Sequence, residues 1–160
     1  MGTLTGAGIA VALPAGWEGR IFSREPDLIP TPLRPSAATT TTTTGAIAHL
    51  ANFALPPDMG DFGSVAVDLM TGPDLLVVLF EHGSEGLGTP LFAASGLPTL
   101  SPDDFSPFTL RKLLDGQSGV QRFFTLSGRP FCLYVVLGSH LRRVRTTPVV
   151  NEVIRGISVQ

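Results

Sequence analysis

The sequence predicts an α+β fold, with a largely antiparallel sheet of about six strands and helices packed on its faces. Three observations carry this. Gly119–Gly138 (GVQRFFTLSGRPFCLYVVLG) reads as two apolar strands closed by a Ser127-Gly128 turn. Three further β-prone runs, GIAVAL, WEGRIFSR and AIAHLANFAL, are bounded by Pro and Gly. Two other segments space their apolar residues with the period of a helix. At 160 residues, a single domain is expected, large enough to bury roughly 70% of the unfolded chain's surface.

In chain order, Gly8–Leu13 is a first strand ended by Pro14-Ala15-Gly16, and Trp17–Arg24 a second, so a hairpin with a three-residue link is predicted. Trp17 at that turn is expected to close one end of the core. Residues 26–45 change character: Pro26, Pro30, Pro32 and Pro35 are followed by six consecutive threonines, Thr39–Thr44. This predicts an exposed, extended connector. Ala46–Leu55 is a third strand stopped by Pro56-Pro57. A helix is predicted over Asp61–Met70, with Phe62, Val65, Ala66, Leu69 and Met70 on one face and Asp58 or Asp61 as cap. Leu75–Phe80 (LLVVLF) is a buried strand.

Residues 81–117 are rich in Gly, Pro, Ser and Asp, with one short helix expected from Ser106-Pro107 that places Phe108, Leu110, Leu113 and Leu114 inside. The hairpin follows. Its second strand, Phe131–Leu137, is apolar at every position, which predicts a central strand covered on both faces. A closing helix is predicted with Thr147 as cap, Pro148 in its first turn, and Val149, Val150, Val153 and Ile154 facing the sheet.

The opening segment G-I-A-V-A-L-P-A-G-W, with Pro14, Gly16 and Trp17 as its distinctive residues, resembles the start of PsbP-like domains. The resemblance implies an antiparallel sheet sandwiched with helices, and an accessory or binding role without a catalytic centre. It carries no ligand residues over to this chain.

Charge adds a second line of reading. The net charge is −2, but residues 1–105 hold three basic and eleven acidic side chains, whereas residues 106–160 hold eight basic and two acidic. The densest basic cluster is Arg142, Arg143 and Arg145, with Arg122 and Arg129 nearby in sequence. These five are the candidate contacts for an anion or a partner. The competing reading of the cluster is a solvated basic edge, or arginines that keep sheet edges from pairing. The acidic pI of about 5.8 and the lack of aromatic RNA-binding motifs argue against a nucleic-acid binder.

Motifs for chemistry are missing. The histidines 49, 82 and 140 stand in no metal-ligand spacing, and no phosphate-cradling glycine loop or G-x-S-x-G is present. No cofactor is therefore expected. Cys132, the one cysteine, lies in the most apolar strand and is expected to be buried and inert. His82, just after a buried strand, is the candidate ligand contact. Fully apolar runs such as Leu75–Phe80 and Phe131–Leu137 are far short of the ~20 residues that span a bilayer. No basic residue precedes Arg20, so no secretory signal is predicted and a cytoplasmic protein is expected.

The function expected from these residues is a non-catalytic interaction or accessory module whose partner is another protein. The alternative is a small-molecule binder or enzyme working in residues 81–117, with His82, Arg122 and Arg129 as its polar contacts.

Overall fold

The computed structural model describes residues 2–23, 45–58, 60, 62–110 and 115–160. The predicted connector therefore lies outside the described residues, apart from Gly45, as do Asp61, Leu113 and Leu114. Among the described residues, eight strands form two antiparallel sheets. The smaller holds β1 (Gly2–Gly6), β2 (Ile9–Leu13) and β8 (Ile157–Val159) in the order β1-β2-β8. The larger holds β3 (Glu18–Ser23), β4 (Ala46–Ala51), β5 (Leu75–Glu81), β6 (Ser118–Leu126) and β7 (Arg129–Leu137), ordered β3-β4-β5-β7-β6. Among the described residues there are two α-helices, α1 (Ser64–Leu69) between β4 and β5, and α2 (Arg143–Arg155), which a 3₁₀ turn at His140–Arg142 joins to β7.

The α+β class and the antiparallel pairing agree with the sequence, but the single six-stranded sheet does not. β2 and β3 belong to different sheets. The three residues Pro14-Ala15-Gly16 carry the chain from one layer to the other, with Gly16 at φ 82° and the Trp17 amide donating to the Pro14 carbonyl at 3.2 Å. β2 cannot pair with β3 because both its edges are taken, by β1 and by β8. The β1–β2 turn is Ala7-Gly8 (φ 50° and 75°), and the β6–β7 turn is Ser127-Gly128 (φ 52° and 73°). Positive φ at both central residues is the primed turn whose twist matches a two-residue hairpin.

The larger sheet separates two apolar clusters. On one face, Leu50, Val77, Leu79, Leu133 and Val135 meet Val150, Val153 and Ile154 of α2, Ile9, Val11 and Ile157 of the smaller sheet, and Leu100 and Phe105. On the other, Ile47, Leu76, Val78, Phe80, Cys132 and Val136 meet Ala66, Val67 and Met70 around α1, and Leu55. With both faces covered, β7 is buried from Pro130 to Leu137, as its unbroken apolar run predicts. Half-buried Trp17 packs against the first cluster. Side chains of β3 hold the cover in place: the Arg20 guanidinium donates to the carbonyls of Leu55 (3.0 Å) and Pro56 (2.7 Å), and Glu18 accepts from the Leu55 amide.

Both helices differ from expectation. α1 starts only after Gly63, whose left-handed φ of 68° blocks an earlier start, and it turns Ala66 and Val67 inward while Val65 and Leu69 face outward. α2 starts five residues before Pro148, which therefore sits inside it. Thr147 is no cap: it is buried and its hydroxyl donates to the Arg143 carbonyl at 2.5 Å, as Thr146 does to Arg142 at 3.1 Å. These bonds to the preceding turn suit threonine in a helix, and burial of Val150, Val153 and Ile154 holds the helix despite its proline. Val149 stays exposed.

Residues 82–110 cover the outer edge of β6. Ser95 bridges Thr125 and Ser106 bridges Gly119, while the Asn151 side chain pairs with both the amide and the carbonyl of Leu100, each at 2.9 Å. The helix expected from Ser106 is one 3₁₀ turn, Pro107–Thr109, which leaves Phe108 exposed and Leu110 buried.

Candidate functional site

The candidate residues divide between the two faces of the larger sheet. His82 follows β5, its amide donating to the Pro130 carbonyl at 2.8 Å. Its half-buried ring packs among Phe80 (4.9 Å), Phe92 (5.2 Å) and Phe123 (6.0 Å), on the α1 side. Arg122 and Arg129 sit on the α2 side. Arg122, cross-strand from Leu133, pairs with Asp104 at 2.8 Å. Arg129 is used inside the fold. Its guanidinium grips Glu81, which is only 6% exposed, lies 5.4 Å from the centre of the Phe131 ring, and donates to the carbonyls of Ala7 (3.0 Å) and Gln160 (3.3 Å). One residue thereby ties β5 and β7 to the β1–β2 turn and the segment after β8. His82 thus lies on the opposite face of the larger sheet from Arg122 and Arg129.

Cys132 is fully buried between Phe80 and Phe123 in the cross-strand register. Loss of solvent pushes its thiol up to about 11, partly opposed by the Gln121 amide that donates to Sγ at 3.3 Å. A thiol so protonated is not a nucleophile near neutral pH. Among the described residues, no three His, Cys, Asp or Glu side chains gather as metal ligands.

Arg142, Arg143 and Arg145 form a different setting. They lie at the start of α2, not along a sheet edge. The corner leading to them is rigidly seated. The Gly138 amide donates to the Asp74 carbonyl at 2.8 Å, and a Cβ on Gly138 would collide with the Thr71 and Asp74 backbone. The His140 amide donates to the Gly116 carbonyl at 2.6 Å. From this seat Arg142 and Arg145 extend into solvent, while half-buried Arg143 donates to the His140 carbonyl at 3.1 Å. Leu141, just before Arg142, and Val144, between Arg143 and Arg145, are 89% and 70% exposed. The four outer side chains frame a shallow depression.

Electrostatically this arrangement runs against helix chemistry. The first turn of α2 has no acidic residue and no side-chain cap, so three cations crowd the positive end of the helix dipole, where anions are preferred. Among the described residues the ion pairs with a carboxylate are those of Arg122 and Arg129, so none relieves this corner. Asp74, in the adjoining turn, instead accepts from the amide and hydroxyl of Thr71. The Arg142 and Arg143 amides already donate to Ser139 and His140, so an anion arriving here would meet guanidinium groups rather than open backbone N–H.

Sequence reasoning found the arginines but missed Leu141 and Val144, since the charge of the three arginines dominates the segment. The signal was present: apolar residues at i and i+3 share one side of a helical turn, and Leu141 and Val144 have that spacing.

No protein-family model, curated protein or solved structure matches the chain. Among the described residues, no helix is long and apolar enough to cross a membrane.

Proposed function

We propose that this chain is a non-catalytic interaction module of a protein assembly and that a protein partner docks on the corner Ser139–Arg145. One observation carries the reading. Three arginines sit where the helix dipole disfavours them, beside two aliphatic side chains exposed at 89% and 70%, without any carboxylate of the described fold to compensate. An arrangement that costs stability, and in which the Arg143 bond to the His140 carbonyl is the one guanidinium contact returned among the described residues, marks a surface kept for something outside the fold. Exposed apolar side chains ringed by charge are the usual make-up of a protein contact. The resemblance of Gly8–Trp17 to PsbP-like domains supports the same role, because that family is largely made of accessory modules.

A photo-crosslinking benzoylphenylalanine in place of Leu141, with the same group in place of Phe108 as a control, tests the docking site. Irradiation in native lysate gives discrete adducts of defined mass from position 141 and not from position 108. An equal, diffuse pattern from both, or none from either, overturns the reading.

A further inference from the structure

Resting on that docking surface, we propose that the partner presents a short segment in which carboxylates alternate with aliphatic side chains. Leu141 and Val144 are three residues apart, and so are Arg142 and Arg145. Side chains at that spacing on a helical turn lie within about 6 Å of one another, so the corner is a small checkerboard of two apolar knobs and two guanidinium forks. A guanidinium pairs bidentately with a carboxylate, and its gain here is enlarged because the anion also relieves the crowding at the dipole's positive end. Leu141 and Val144 ask for the other half of the ligand. A purely polar anion would leave both exposed.

The distribution of charge separates a peptide from the extended polyanions. The chain as a whole is negative, with eleven acidic residues among the first 105. A bilayer rich in anionic lipid, or a nucleic-acid duplex, spreads its charge over a surface much wider than the corner and sets it against that acidic remainder. A short segment feels only what lies within a screening length of about 8 Å, and within that range the corner supplies three cations. Duplex phosphate also offers nothing to Leu141 and Val144.

The test is fluorescence anisotropy at low salt with a fluorescein-labelled peptide of repeating Glu-Leu-Glu-Glu-Leu, run beside its Gln-for-Glu and Ser-for-Leu analogues. Phosphatidylserine vesicles and a DNA duplex form two further arms. The Glu-Leu peptide binds, and both analogues bind about tenfold more weakly or not at all, tenfold being the loss of about 1.4 kcal/mol. The double variants Arg142→Glu/Arg145→Glu and Leu141→Ser/Val144→Ser each lose at least roughly that factor, whereas Arg155→Glu, at the far end of α2, does not. Thermal melts of every variant establish that the fold persists. Equal binding of the Gln analogue, or equal binding to the Arg142→Glu/Arg145→Glu variant, overturns the proposal. Tighter binding to the vesicles or the duplex overturns it in favour of a membrane or a nucleic acid. Failure of the peptide alongside a discrete Leu141 crosslink removes only the partner's chemistry; failure of both removes the docking site as well.

Discussion

Substitution of Arg129 by methionine isolates the most consequential polar contact of the fold. Methionine keeps much of the aliphatic stem over Phe131 but deletes a guanidinium that serves the Glu81 carboxylate and the carbonyls of Ala7 and Gln160. Glu81 is left 6% exposed with its partner gone. Breaking a buried ion pair from one side costs about 3–5 kcal/mol. The Arg129 side chain is 21% exposed against 7% for Glu81, so water reaches the arginine end and the lower figure, about 3 kcal/mol, is expected. For a domain of this size that lowers Tm by roughly 6–12 °C. The asymmetry makes a second expectation. Glu81→Leu strands the more accessible partner and costs less than Arg129→Met, and the double variant, with neither charge left, recovers to within about 1 kcal/mol of the native protein. Urea unfolding followed by Trp17 fluorescence and by circular dichroism measures all four corners of the cycle. If Arg129→Met costs under about 1 kcal/mol, as an exposed pair would, and the double variant is no better than the single, the clamp is only a surface ion pair and the argument fails.

Two further outcomes follow from other parts of the molecule. Arg142→Glu/Arg145→Glu replaces cations with anions at the positive end of α2, so it raises stability by about 1 kcal/mol, a gain of roughly 2–4 °C in Tm; a melt that is unchanged or lower contradicts the electrostatic account of the corner. Cys132 keeps its proton up to about pH 11 in the native state, against 9.0 for the free thiol, so its contribution to stability is complete below pH 9 and is lost as pH rises through 11. The loss amounts to about 2–3 kcal/mol, because between those values the unfolded chain releases a proton that the folded chain retains. Chemical denaturation across that range shows a smaller decline in Cys132→Ala than in the native protein, and a decline of equal size in both would remove Cys132 as the cause of the difference.

What could be read from the sequence was what its local pattern encodes. The β6–β7 hairpin carries its own turn chemistry in Ser127-Gly128 and its own burial in the run from Phe131 to Leu137, so strands, turn and central position were all legible. β1 was not, because GTLTG has no apolar run; its pairing comes from the turn at Ala7-Gly8. The division into two sheets was hidden for a related reason. A three-residue link such as Pro14-Ala15-Gly16 serves a hairpin and a layer crossing equally, and what decides between them is β8, which occupies the edge of β2 from nearly the other end of the sequence. The start of α2 was misplaced because Pro148 is a good first-turn residue, a local preference that burial of the helix's inner face overrode. Among the site residues, sequence proximity grouped Arg122 and Arg129 with His82, whereas strand alternation sends them to opposite faces of the sheet. The partner of Arg129, Glu81, is 48 residues away, and no local pattern announces it. The arginines at 142, 143 and 145 were legible as charge, but their significance lies in which end of a helix they occupy.

The seam between Ile9–Val11 and Ile157–Val159 sets a timetable for the polypeptide. At synthesis rates of about 5–20 residues per second, the early segment waits roughly ten seconds or more for its neighbour to be made. Until then Ile9, Val11 and the underside of the five-stranded layer have no lid, since α2 and β8 are translated after the strands they cover. Closing so long a loop is slow, so the nascent chain spends its youth with greasy surface on view, and a holding chaperone in that interval meets a real need of this topology.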